Sequence, residues 1–92
     1  MAKAIITFKL MPESVEVDLE PIKEKALAIA REAGSIGEMQ SRSEPLALGL
    51  KAVMILAMLE VEGGDFDGIA AKMQEIENVQ SAEVAKMDLA LG

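Results

Sequence analysis

Lys51-Ala52-Val53-Met54-Ile55-Leu56-Ala57-Met58-Leu59-Glu60-Val61 is apolar without interruption from Ala52 to Leu59. Read with a period of two, Val53, Ile55, Ala57 and Leu59 share one face, and Ala52, Met54, Leu56 and Met58 share the other. A strand apolar on both faces belongs in the middle of a sheet, where neither side meets bulk water. The run is far too short to cross a bilayer as a helix. A central strand needs neighbours on both sides, and these are sought in the flanking sequence.

Upstream, Ser35 to Glu44 alternates poorly: Ile36, Glu38, Gln40 and Arg42 interleave with Gly37, Met39 and Ser41. Its polarity reads as an edge strand, broken by Pro45 and joined to the central strand by the short apolar loop Leu46-Ala47-Leu48-Gly49. Near the start, Lys3 to Met11 alternates cleanly, with Ala4, Ile6, Phe8 and Leu10 on one face, and ends at Pro12-Glu13-Ser14. Asp18 is a helix N-cap, and Pro21 is tolerated in a first turn. The spacing then predicts a helix over Leu19–Ala33, with Ile22, Ala26, Ile29, Ala30 and Ala33 on its apolar face and Gly34 as its stop.

Downstream, Glu62-Gly63-Gly64 is a turn. Asp65 or Asp67 caps a second helix striped by Phe66, Ile69, Ala70, Met73 and Ile76 and closed by Asn78. Val79 to Leu89 is a last strand: Ala82 and Val84 are followed by Met87 and Leu89, so the apolar phase slips by one residue near Ala85, as a bulge or a change of environment would make it. The order β-α-β-β-α-β predicts an α+β chain of ferredoxin-like form. Its four-stranded antiparallel sheet would carry both helices on one face, with the first and third strands central. No linker or low-complexity tract divides residues 1–92, which read as one domain.

Composition excludes several chemistries. The 92 residues contain no Cys and no His, which removes disulfides, thiolate catalysis, imidazole acid–base catalysis and the usual zinc sites. A net charge of −7, no basic stripe and only two aromatics, Phe8 and Phe66, argue against direct binding of nucleic acid. The opening residues lack the long apolar core of a signal peptide. A cytoplasmic chain without membrane contact is the expectation. Gly63-Gly64 lacks the Lys-Ser/Thr ending of a phosphate-binding loop. Glu62, Asp65 and Asp67 lack the spacing of a calcium loop and read as a solvated helix N-terminus. Lys9, Lys51 and Lys86 have no Cys, His or activated nucleophile near them in sequence, so no enzyme signature, cofactor site or metal site is present to read. Met54 and Met58 leave a choice open: a partner covers the helix-free side of the sheet, or the strand is simply hydrophobic.

Three segments resemble the archaeal elongation factor 1-beta family. They are Phe8-Lys9-Leu10-Met11-Pro12-Glu13-Ser14 with Val17-Asp18-Leu19-Glu20, then Glu44-Pro45-Leu46-Ala47-Leu48-Gly49-Leu50, then Ile76-Glu77-Asn78-Val79-Gln80-Ser81-Ala82-Glu83-Val84. They occur in family order and cover almost the whole chain. The resemblance implies a guanine-nucleotide exchange factor for the GTPase elongation factor 1-alpha, acting without covalent chemistry of its own. It also implies partner-contact positions. The family's aromatic before the glycine of the second segment corresponds to Leu48, ahead of Gly49. The basic residue that eukaryotic members carry near the C-terminus, and direct at the GTPase's Mg²⁺ site, corresponds to Leu89 when Ala85-Lys86-Met87 is aligned. No basic residue follows Lys86 before the chain ends Leu89-Ala90-Leu91-Gly92. Two readings follow: Lys86 acts from a shifted register, or exchange rests on surface fit. Lys51 is a second contact candidate. The candidate surface is therefore Leu48, Gly49, Lys51, Lys86, Met87 and Leu89.

Two other classes fit the architecture. One is a small-ligand-sensing module of ACT-like form, which would carry a glycine-rich loop where this chain has Met11-Pro12-Glu13-Ser14. The other is an oligomerisation module, and the open sheet face leaves room for a weak homo-oligomer.

Overall fold

The central strand is flanked as its two apolar faces require. A computed structural model describes residues 2–90. It contains β1 (Lys3–Pro12), α1 (Leu19–Glu32), β2 (Ile36–Pro45), a 3-10 turn (Ala47–Gly49), β3 (Lys51–Glu60), α2 (Phe66–Gln74) and β4 (Val79–Ala90). The four strands form one antiparallel sheet in the order β2-β3-β1-β4, so β3 and β1 are central and β2 is an edge. This is the expected ferredoxin-like α+β fold. Met1, Leu91 and Gly92 lie outside the described residues, and with them the end of the C-terminal segment.

Ala4, Ile6, Phe8 and Leu10 of β1 and Val53, Ile55, Ala57 and Leu59 of β3 form one buried layer with Ile22, Ala26 and Ala30 of α1 and Ala70 and Met73 of α2. Period two in the strands and period 3.6 in the helices turn these residues toward one another. Both helices therefore cover the same side of the sheet. Truncating the fully buried Phe8 to alanine would cost about 3–5 kcal/mol, a large fraction of the stability of so small a core. The opposite side carries no helix, yet Thr7, Ala52 and Met54 are buried there. No helix among the described residues is long and apolar enough to cross a membrane.

The expected caps form. Asp18 accepts from the Glu20 amide at 3.1 Å, and Asp65, rather than Asp67, accepts from the Gly68 amide at 3.0 Å. Several boundaries differ from expectation. Pro12 and Pro45 end their strands from inside, pairing with Val79 and Lys51. A proline at a strand terminus forfeits little, because its missing N–H is not needed in the ladder there. α1 stops one residue early, with Ala33 as an exposed C-cap before Gly34 at φ +100°. α2 ends at Gln74, short of Asn78, because the chain turns at Glu75. Ile76 reaches the core from outside the helix, and Asn78 sits at φ 71°, turning the chain into β4. The expected bulge is present: Thr7 pairs with Lys86 but Phe8 with Val84, which leaves Ala85 unpaired.

Candidate functional site

The β2–β3 connection is a tight tip. Pro45 pairs with Lys51, the Leu46 amide donates to the Leu50 carbonyl at 2.7 Å, and the Leu50 amide donates to the Ala47 carbonyl at 3.3 Å. Closing the chain over so few residues forces two successive left-handed conformations, Leu48 at φ 62° and Gly49 at φ 79°. Glycine adopts this region without cost, whereas a leucine there loses about 1–2 kcal/mol. Leu48 is also 93% exposed, so no internal packing offsets the strain. An apolar side chain held outward in a strained backbone has the properties of a contact residue.

Val15 joins this tip from the β1–α1 loop. It is 59% exposed, and a side chain added at Gly49 would stand 3.9 Å from Val15 Cγ1. Below the pair is a recess lined by Pro12, Ser14, Val17, Leu19 and Lys51. Lys51 is exposed at the end of β3, on the helix side of the sheet. Leu48, Gly49 and Lys51 are thus brought together. Val15 is the residue that the sequence reading missed. The available signal was a β-branched apolar residue set between acidic neighbours in Glu13-Ser14-Val15-Glu16.

The remaining candidates stand elsewhere. Leu89 pairs with Ala4, and Ala4 with Leu59. Leu89 is therefore level with a position eight residues along β3 from Lys51, about 27 Å away at the usual strand rise. The longest dimension of the protein is 42 Å, so the two groups occupy opposite ends of it. The bulge at Ala85 also separates neighbours in sequence onto two faces. Met87 and Leu89 pair with Ile6 and Ala4 and share their helix-side face, but they remain 49% and 66% exposed. Lys86 and Asp88 turn to the helix-free face, where their side chains form an exposed ion pair at 3.5 Å. Such a pair contributes about 0–1 kcal/mol. Lys9 shares that face, so Lys9 and Lys51, although on neighbouring strands, project to opposite sides.

Glu62, Gly63, Gly64 and Asp65 form a turn in which the Gly64 amide donates to the Val61 carbonyl at 3.2 Å and the Asp65 carboxylate is engaged as a cap. Among the described residues, no three acidic side chains converge so as to hold a metal ion. What the surface offers is two groups of exposed apolar side chains, Val15 with Leu48 and Met87 with Leu89, at opposite ends of one sheet.

Known proteins match the chain over most or nearly all of its length. Elongation factor 1-beta of Methanococcus maripaludis is 40% identical over 91 residues, covering 97% of this chain and 99% of that protein. Its counterpart in Methanosphaerula palustris is 36% identical over 89 residues with the same coverage. That of Pyrococcus abyssi is 39% identical over 77 residues, or 83% of this chain and 82% of that protein. Residues 5–89, from β1 to the far end of β4, match the EF-1 guanine nucleotide exchange domain. The tip, the recess and the bulged last strand thus belong to a nucleotide exchange factor of translation elongation, and the chain is a member of the EF-1 guanine nucleotide exchange domain family.

Proposed function

We propose that the chain, acting as one exchange domain, speeds release of GDP from the GTPase elongation factor 1-alpha and so permits reloading with GTP. The exchange-domain match over residues 5–89 carries this reading. The Leu48 tip supports it by supplying an apolar anchor that nothing within the chain uses.

The physics requires no catalytic group. A GTPase holds its nucleotide through a phosphate-binding loop and Mg²⁺. A protein that binds the nucleotide-free state more tightly than the loaded state must weaken nucleotide binding by the same factor. Shape and rigidity are sufficient for this. In this reading Leu48 and Val15 anchor one region of the GTPase, with Gly49 letting the backbone approach and Lys51 adding charge. Met87 and Leu89 touch a second region, and Lys86 reaches from the other face of β4. The spacing of the two ends calls for a partner large enough to be met at both. The setting is the cytoplasm, where elongation takes place, and neither nucleic acid nor membrane is contacted directly.

The test is release of a fluorescent GDP analogue from the cognate GTPase, with Lys51→Ala, Lys86→Ala and a truncation after Met87 alongside. Faster release is expected with the intact chain, and unchanged release would overturn the proposal. Loss of all activity in Lys51→Ala alone would move the acting group from the C-terminal end to the tip.

A further inference from the structure

We infer that the helix-free face of the sheet docks a second copy of this chain, in a twofold arrangement whose axis runs parallel to the strands. The inference comes from the strand register and is independent of the exchange activity. Paired residues share a face, so one line across this side of the sheet reads Arg42, Met54, Lys9, Glu83 from β2 to β4. The next line reads Gln40, Leu56, Thr7, Lys86.

A twofold axis along the strands, between β3 and β1, places β2 of one copy over β4 of the other and keeps each line at its own level. Arg42 then faces Glu83 of the second copy, and symmetry repeats the pair at the other edge. Met54 meets Lys9, Leu56 meets Thr7 and, in the following line, Met58 meets Ile5, so the middle of these lines is apolar apart from Lys9 and Thr7, while the Arg42–Glu83 pairs close both rims. These lines lie near the centre of the strands, where two twisted sheets packed about 30° apart stay closest.

Charge favours this occupant. The chain carries −7, and two such chains repel across most of their surfaces. On the paired positions of this face, however, Lys3, Lys9, Arg42 and Lys86 are balanced by Glu44, Glu60, Glu83 and Asp88. The face is neutral, and two of its opposite-charge pairs, Arg42 with Glu83 and Glu60 with Lys3, are set symmetrically about the midline, which makes those pairs self-complementary. The face is small: four strands about 4.8 Å apart and eight residues long give roughly 500 Å² of flat area per copy, at the low end for specific association. The dimer is accordingly weak. It leaves the Leu48 tip and Met87 free but covers Lys86, so any action of Lys86 on another protein requires the monomer.

Sedimentation equilibrium of the intact chain up to about 1 mM is expected to show a mass rising from 9.8 kDa toward twice that value. Arg42→Glu and Glu83→Arg are each expected to weaken the dimer by about tenfold or more, by setting like charges opposite one another. The double variant restores the pairing with reversed sign and is expected to recover the wild-type constant, which a merely structural effect would not do. A chain that stays monomeric at 1 mM, or a dimer indifferent to both reversals, or a double variant no better than the singles, would overturn the inference. So would a monomer whose Leu56→Glu variant loses binding to the GTPase, which would assign the face to that protein.

Discussion

The Asp65 carboxylate accepts a hydrogen bond from the Gly68 amide at 3.0 Å and fills the space that a side chain at position 68 would need. A Cβ there would collide with Asp65 Oδ2 and stand 2.7 Å from Cγ. The cap and the glycine are therefore one device.

That coupling can be measured by urea unfolding. Asp65→Ala is expected to cost about 1 kcal/mol, the usual worth of such a cap. Gly68→Ala alone is expected to be near neutral, because a helix-propensity gain of about 1 kcal/mol is offset by displacing the carboxylate. In the Asp65→Ala background the same change stabilises by about 1 kcal/mol, since nothing remains to displace. Equal effects of Gly68→Ala in both backgrounds would contradict the coupling.

Stability and activity should part at Leu48. Leu48→Asn relieves the left-handed strain and is expected to stabilise the fold by about 0.5–1 kcal/mol. In the proposed docking the same variant removes an anchor worth about 1.5–3 kcal/mol when buried against a partner, so exchange at limiting concentration should fall at least about tenfold. Leu48→Phe, with more apolar area, should move exchange the other way. Parallel denaturation curves and GDP-release traces decide the matter. Activity that follows stability would show that the tip is not a contact.

Gly64 sits where the last carbonyl of β3 crowds the turn. A Cβ at this position would lie 2.9 Å from the Glu60 carbonyl oxygen and 2.6 Å from the Phe66 ring. The ring can rotate, but a carbonyl fixed at a strand end cannot. Gly64→Ala is expected to cost about 1–3 kcal/mol, as overpacking usually does, and to lower the Tm by several degrees. An unchanged Tm would mean that the turn yields freely.

The bulge at Ala85 leads to a deletion experiment. Removing Ala85 lets Lys86 follow Val84 directly, so that Thr7 still faces Lys86, Ile6 still faces Met87 and Ala4 still faces Leu89. The shortened chain is expected to fold with those contacts intact and less local twist. Cross-strand NOEs between Thr7 and Lys86 would report it. Their loss would mean that β4 needs the extra residue to follow the sheet.

The Ala85 bulge was readable in advance because a one-residue slip reverses every later side chain, and Met87 and Leu89 change phase after Val84. The irregularity in β2 between Ile36 and Gln40 was not, since a polar edge strand has no buried face to lose. The tip was legible as Leu48 beside Gly49, but not its strain, because leucine gives no local signal for a left-handed backbone. The six candidate contacts could be named singly but not arranged. Only the pairing of Leu89 with Ala4 sets Leu89 at the far end of the sheet from Lys51.

The strand order β2-β3-β1-β4 also sets a schedule for synthesis. β1 leaves the ribosome first, yet its two neighbours are encoded from Lys51 and from Val79 onward. At about 5–20 residues per second, Ile6, Phe8 and Leu10 wait seconds for β3, and the other edge of β1 closes only once the residues from Val79 onward have been made. Nascent chains stalled before β4 should therefore hold an unfinished, adhesive surface, and this helper of protein synthesis would itself acquire a complete sheet only after its own β4 has left the ribosome.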